Sequence, residues 1–327
     1  GTVSFSVTPD IQAWICGQAN YGWVMPGWFT NRDGTALSPG EATNVVDLPR
    51  LRVLWLPPGV STASFRQGVN GYTSTVDTRI RANAADTQFS TVTGVFVDWA
   101  VTGTSDNEHV LVRFDNIIGN GGSQIPAGST VHAAMLDLGA TIGNAMGDGG
   151  TFHAMLKPWL GTSTWNSLTN GVSADDIEAV AANSAVAGSP SLDPNVQAGF
   201  LSYELTDDVK SWVSGARQNY GWAILPWPNG GDGWGFATSE AATVRDRPQL
   251  RVFYTPALTL RSISRGPSNA VIQFVGPAST SCTVLRATVV TGPYTNIGSA
   301  STDSTGNGTF TDNSPPIGQA FYRLSSP

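Results

Sequence analysis

The tetrapeptide "NYGW" occupies Asn20–Trp23 and recurs at Asn219–Trp222. Its flanks decide whether the recurrence is chance. Around the first copy the chain reads "VSFSVTPDIQAWICGQANYGWVMPGW" (3–28) and then "GEATNVVDLPRLRVLW" (40–55). Around the second it reads "LSYELTDDVKSWVSGARQNYGWAILPW" (201–227) and then "SEAATVRDRPQLRVFY" (239–254). Trp14 aligns with Trp212, Trp28 with Trp227, Glu41 with Glu240 and Pro49 with Pro248; Leu51, Arg52 and Val53 align with Leu250, Arg251 and Val252. Matches spread over about fifty residues, with one small length change before the Asn, mark an internal duplication.

Each block has a physical reading. An alternating strand (Val3, Phe5, Val7; Leu201, Tyr203, Leu205) runs into a Thr placed to cap a short helix. Pro9 suits the first helical turn, and Asp207 and Asp208 suit the positive end of the helix dipole. Apolar residues follow at helical spacing: Ile11, Trp14 and Ile15, then Val209, Trp212 and Val213. Gly17 and Gly215 stop the helices, and "NYGW" opens a new strand. The tetrapeptide therefore marks the last third of a β unit, with a closing strand at 51–54 or 250–254.

Composition agrees with a turn-rich β protein. Charged residues are 13%, about half the usual globular share, while the 37 glycines and 20 prolines supply turns. A net charge of −7, with Lys only at Lys157 and Lys210, argues against a nucleic-acid partner or an anionic membrane surface. No apolar run reaches the roughly 20 residues a bilayer demands, so no membrane insertion is expected, and no export signal is read. Low charge and a modular β pattern suggest an extracellular or cell-surface location. Cys16 and Cys282 fall in different modules; they read as small buried hydrophobes, with an intermolecular bridge as the alternative.

The second unit can be followed back to its start. "VLVRFDNI" (110–117), "IPAGSTVHAAMLDL" (125–138) and "WLGTSTWNSL" (159–168) precede the second block. This order, with Arg113-Phe114-Asp115, Val131–Leu138, Thr164-Trp165, Thr206–Trp222, Ser239-Glu240-Ala241 and Arg247–Tyr254, resembles the DNRLRE family of bacterial extracellular β-sandwich (jelly-roll) modules. The resemblance covers 61–256 as a whole and 3–56 as a last third only. It implies a fold more than a function, some members being carbohydrate-binding modules and many being parts of surface proteins. From 257 the register shifts to short alternating strands, "AVIQFVG", "CTVLRAT", "GTFTDN" and "AFYRLS". This stretch resembles the small C-terminal sandwich of secreted proteins of verrucomicrobial and planctomycete type. The expected architecture is all-β: jelly-roll-like β-sandwiches in tandem (an incomplete one at 1–59, a complete one at 60–256) and a small Ig/fibronectin-III-like sandwich at 257–327. Segment 173–187, "SADDIEAVAANSAVA", carries helical periodicity and a capping Ser, and predicts a helical insertion packed on the larger sandwich.

Chemistry-bearing patterns are sparse. His109, His132 and His153 show no metal-ligand spacing and read as satisfied core or strand histidines. There is no nucleophile elbow, phosphate loop or zinc-protease helix. The pairs Asp175-Asp176 and Asp207-Asp208 invite a glycosidase reading, but capping and dipole effects account for both, so a non-catalytic chain is expected. Glu240 and Arg251, repeated as Glu41 and Arg52, read as cross-strand pairing groups rather than ligand contacts. The loop "PWPNGGDGWGF" (226–236) is the best ligand candidate. Trp227 and Trp234 offer flat faces to a sugar ring, with Trp159 in support, and Asn229 and Asp232 supply hydrogen bonds or calcium oxygens.

Residues 1–59 hold only the late strands of a unit whose early strands would cover their apolar face. Three resolutions are open: the preceding part of a longer precursor completes it, the block is a reduced fold packed on its neighbour, or another polypeptide completes it. Val3, Phe5, Val7, Trp14 and Trp23 are then the assembly residues. The functional expectation is a structural or adhesive protein assembling head-to-tail into a filament or surface array. The alternative is a carbohydrate-binding accessory module with a polysaccharide partner.

Overall fold

The computed structural model describes residues 7–25, 39–41, 49, 51, 53, 60–99, 107–119, 121–143, 145–188, 196, 198–228 and 232–325. The chain divides into two compact units, Gly1–Trp55 and Leu56–Pro327.

The second unit opens with a two-sheet sandwich. Its strands are β1 (Ser61–Arg66), β2 (Thr75–Arg81), β3 (Gly94–Val97), β4 (Glu108–Phe114), β5 (Thr130–Ala140) and β6 (Gly149–Ala154), then β7 (Ala185–Gly188), β8 (Gly199–Glu204), β9 (Trp222–Pro226), β10 (Trp234–Ala237) and β11 (Gln249–Thr255). One sheet has the order β1-β11-β5-β8, the other β2-β4-β9-β6-β7, and β3 pairs with β10. Four antiparallel pairings reveal the topology: β1 with β11, β4 with β9, β5 with β8, and β6 with β7. First strand meets last, second meets next-to-last, and so inward. That is a long hairpin rolled up on itself, the jelly roll, with β2 added at an edge.

Alternation places the core. Along β11 the inward residues are Leu250, Val252 and Tyr254, and along β1 they are Ala63 and Phe65. They meet Val110, Val112, Phe114, Phe152, Trp222, Ile224 and Trp234 from the facing strands in one continuous core. On its outer side the second sheet is also covered: Ile80, Leu111, Met155, Trp159, Val172, Ala179 and Ala223 form a second buried cluster. Hence β4, β6 and β9 are buried on both faces, and their sequences run apolar without clean alternation.

The segment that adds Ala179 to this outer cover is where the predicted helix at 173–187 fails. Residues 173–184 form turns and isolated bridges, followed by strand β7 at Ala185–Gly188. The acids that resemble a helix start instead close side-chain turns. Asp175 Oδ1 accepts the Ile177 N–H at 3.0 Å, and Asp176 Oδ1 accepts the Ala181 N–H at 2.9 Å. Asp176 itself sits at φ +66°, which ends any right-handed helix. The backbone finds its partners on β6: Val180 N–H bonds Ala154 O, and Ser184 N–H bonds Phe152 O. Packing on the sandwich is as expected; the conformation is not.

Helix α1 (Thr8–Ile15) in the first unit and α2 (Thr206–Val213) in the second are the two helices of the repeat. Neither is capped by its Thr, because the preceding residues, Val7 and Leu205, stand at the cap positions without side-chain bonds. Thr206 is instead the first helical residue, and its hydroxyl accepts the Ala134 N–H of β5 at 3.1 Å. Both helices end as expected, with Gly17 at φ +101° and Gly215 at φ +79°. Cys16, just past α1, is exposed, correcting the expectation of burial; Cys282 is buried, and both are free.

The remaining strands are β12 (Thr259–Arg265), β13 (Ala270–Val275), β14 (Ser281–Ala287), β15 (Thr295–Ser301), β16 (Asn307–Asp312) and β17 (Phe321–Ser325). Sheets β12-β13-β16 and β15-β14-β17 enclose a small core of Ala270, Ile272, Val284 and Tyr322. The order corresponds to strands A-B-E against C′-C-F of an Ig/fibronectin-III-like sandwich. Asp312 joins the two sheets: it bonds Arg286 Nη1 at 2.7 Å and accepts the Tyr322 hydroxyl at 2.9 Å.

Candidate interaction surface

The tryptophans expected to face a sugar are engaged elsewhere. Trp234 stands on β10 opposite Val97 and is fully buried. Its ring lies 5.1 Å from Phe236, 5.9 Å from Tyr203 and 6.3 Å from Phe152, centroid to centroid. Trp159 is 3% exposed, its indole N–H donates to Tyr220 O at 2.7 Å, and the Arg113 guanidinium lies 4.7 Å from its ring. Trp227 is half-buried and donates to Ala187 O of β7 at 2.9 Å. The Asp232 N–H donates to the Asp148 carboxylate at 3.1 Å, while Asn229 lies outside the described residues. The expected sugar platform is thereby corrected. Once β10 pairs with β3, the strand pleat turns Trp234 and Phe236 inward. Among the described residues no three His, Cys, Asp or Glu side chains gather as a cation site.

The histidines and the repeated charges are structural. His109 is buried against Trp165 at 4.8 Å, its Nδ1 accepts the Val172 N–H at 3.3 Å, and burial pushes the imidazole down to about 4. His132 bonds Thr255 Oγ1, and His153 bonds Val180 O and Thr151 Oγ1. Arg251 does pair across strands, with both Asp137 oxygens at 2.5 and 2.8 Å. Glu240 does not; it accepts the Ser239 hydroxyl.

The duplicated block builds one device twice, in two different environments. In the second unit the Trp212 and Trp222 rings pack at 4.7 Å, and the Trp222 indole N–H donates to Asp208 Oδ2 at 2.8 Å. Asn219 Oδ1 accepts the Gly221 N–H at 3.0 Å, with Gly221 at φ +70°. In the first unit Trp14 and Trp23 pack at 4.8 Å, and the Trp23 indole N–H donates to Asp10 Oδ2 at 2.8 Å. Asn20 Oδ1 accepts the Gly22 N–H at 2.9 Å, with Gly22 at φ +75°. The ring separation, the buckle and the turn bond agree between the copies to within a tenth of an ångström.

What surrounds the device differs. Around the second copy, Trp222 pairs with Val112 of β4 and Ala154 of β6 and is wholly buried. Asn219 Nδ2 donates to Phe114 O at 2.8 Å. A Cβ on Gly221 would lie 2.2 Å from Val112 O, so the β4 backbone rests directly on that glycine. In the first copy Trp23 is 51% exposed, Tyr21 93%, Val24 87% and Ile15 72%. Among the described residues nothing lies within 4 Å of a Cβ at Gly22, and residues 21–25 form no strand. Val7 and Trp14 are half-buried, while Val3 and Phe5 lie outside the described residues.

Sequence reasoning aligned the tryptophans of the two copies but missed both their pairing and the buckle. Asp208 reads in the sequence only as a residue favoured by the helix dipole, yet its carboxylate, and that of Asp10 at the aligned position, holds an indole N–H across the turn. The signal was present: the repeat keeps Asp there while its neighbour changes from Pro9 to Asp207.

No family model and no curated protein matches this chain. Among solved structures, a crystal structure of beta-1,2-glucanase from Parabacteroides distasonis is similar at 10% identity, covering 77% of this chain and 34% of that one, with a TM-score of 0.18. The chain thus spans about a third of that protein's length, and a likeness so slight carries no argument about fold or activity.

Proposed function

We propose that this chain is a non-catalytic structural or adhesive protein of the bacterial cell exterior that assembles through its N-terminal unit. One observation carries the reading: a single sequence block folds the same way twice, buried beneath strands in one copy and presenting the corresponding aromatic face to solvent in the other. Large apolar residues gathered on one surface mark a binding face. The acids that invite a catalytic reading support it as well. Asp208 is held by Trp222 and Arg217, Asp207 pairs with Lys210, and Asp175 and Asp176 close backbone turns, so each has a structural role. The DNRLRE-type resemblance of 61–256 points the same way.

Sedimentation velocity and negative-stain electron microscopy test it. Concentration-dependent association into filaments or sheets is expected, and Trp23→Ser should weaken it. A folded 34.3 kDa monomer at all concentrations overturns self-assembly.

A further inference from the structure

We infer that the N-terminal unit recognises an extended strand of β4 chemistry donated by a neighbouring polypeptide. This deepens the assembly reading and rests on it. The complete copy shows what such a strand supplies. Residues 110–112 pair with β9 in the register Val110↔Ile224, Leu111↔Ala223, Val112↔Trp222. The carbonyl of Phe114 accepts from Asn219 Nδ2, and the backbone at Val112 seats on Gly221. The first copy presents the matching groups already set. Asn20 has its Oδ1 turned to the Gly22 N–H, as Asn219 has to Gly221, and Gly22 carries the same positive φ with open space above it among the described residues. Trp23 is buckled to Asp10 with half its surface in water.

The occupant follows from these features. It is an extended segment with apolar side chains at alternate positions, as in Val110, Val112 and Phe114, running antiparallel to 22–25. It needs a free carbonyl for Asn20 and a backbone flat enough to lie on Gly22. A strand from β4 of another copy is excluded as donor, because Val110, Val112 and Phe114 are wholly buried in their own core.

The test uses the full chain and a fluorescein-labelled peptide of residues 108–116, read by anisotropy and by the tryptophan emission of the chain. Saturable binding with a blue shift is expected. A peptide of the same composition in scrambled order should not bind. Asn20→Asp keeps the oxygen that holds the turn and removes the donor to the strand, and should weaken binding roughly tenfold. Gly22→Ala should abolish it while the circular dichroism stays unchanged. Equal binding of the authentic and scrambled peptides, or no binding of either, overturns the inference. The assembly reading is judged separately: a chain that self-associates but ignores the peptide sinks the strand and leaves assembly standing. A monomer that binds the peptide does the reverse.

Discussion

Asp208 accepts the buried Trp222 indole at 2.8 Å and the Arg217 guanidinium at 3.0 Å. Asp208→Ala would strand the indole N–H in the core, and a buried donor left without a partner costs about 1–3 kcal/mol. Asp10 makes the same bond to a Trp23 that is half in water, where solvent can replace it. Asp10→Ala should therefore cost under about 1 kcal/mol. Chemical denaturation of both variants checks the contrast; equal losses would contradict the difference in burial. The bond lengths of the two copies are the same. Their consequence is set by surroundings that no single residue encodes.

At the level of elements, the turn-forming segment 173–184 shows what sequence periodicity can and cannot reveal. Asp176 combines φ +66° with a side-chain bond to Ala181 N–H. Asp176→Ala loses the bond and retains a left-handed backbone, at a cost of about 1–2 kcal/mol, whereas Asp176→Gly loses the bond but relieves the strain. Urea unfolding should rank them Asp, then Gly, then Ala. The alternating strands β8 and β11 were legible because successive residues differ in burial along each. The β4, β6 and β9 strands sit between two apolar layers, so they carry no alternation from which a facing side could be read. The segment 173–184 was illegible because Val180 and Ser184 find their backbone partners on β6, and a Ser followed by acids fits a helix start as well as a pair of side-chain turns. Trp234 misled for a related reason. A glycine-rich loop with tryptophans looks like a ligand surface until pairing with β3 decides which way the pleat turns.

Across the whole molecule, two buried carboxyls work in opposite directions on stability. Burial, and then the nearby Glu240 carboxylate, push Asp77 up to about 8. The folded chain thus keeps a proton that the unfolded chain releases near pH 4, so Asp77's contribution declines as pH rises from about 4 to about 8, by up to about 1.4 kcal/mol per pH unit. Asp312 behaves oppositely. Burial pushes it up, but hydrogen bonds from Arg286, the Ser314 N–H and Tyr322 outweigh that and hold it below the ordinary range. Its contribution is present above about pH 4 and is lost as pH falls through its folded value. Thermal melts across pH should show Asp77→Asn flattening the loss toward neutrality, and Asp312→Asn flattening the acid limb. An unchanged slope in either variant would remove that group from the account.

The rolled hairpin has a mechanical corollary. Because the first strand of the large sandwich pairs antiparallel with the last, Ser61 lies opposite Tyr254, and the chain enters and leaves the sandwich side by side. Tension along the polypeptide would then pull this pair apart like a zipper, loading one rung of the ladder at a time instead of shearing the whole seam together. A module tied in this way yields gradually, each opened rung letting out length as core residues such as Phe65 are drawn from their places.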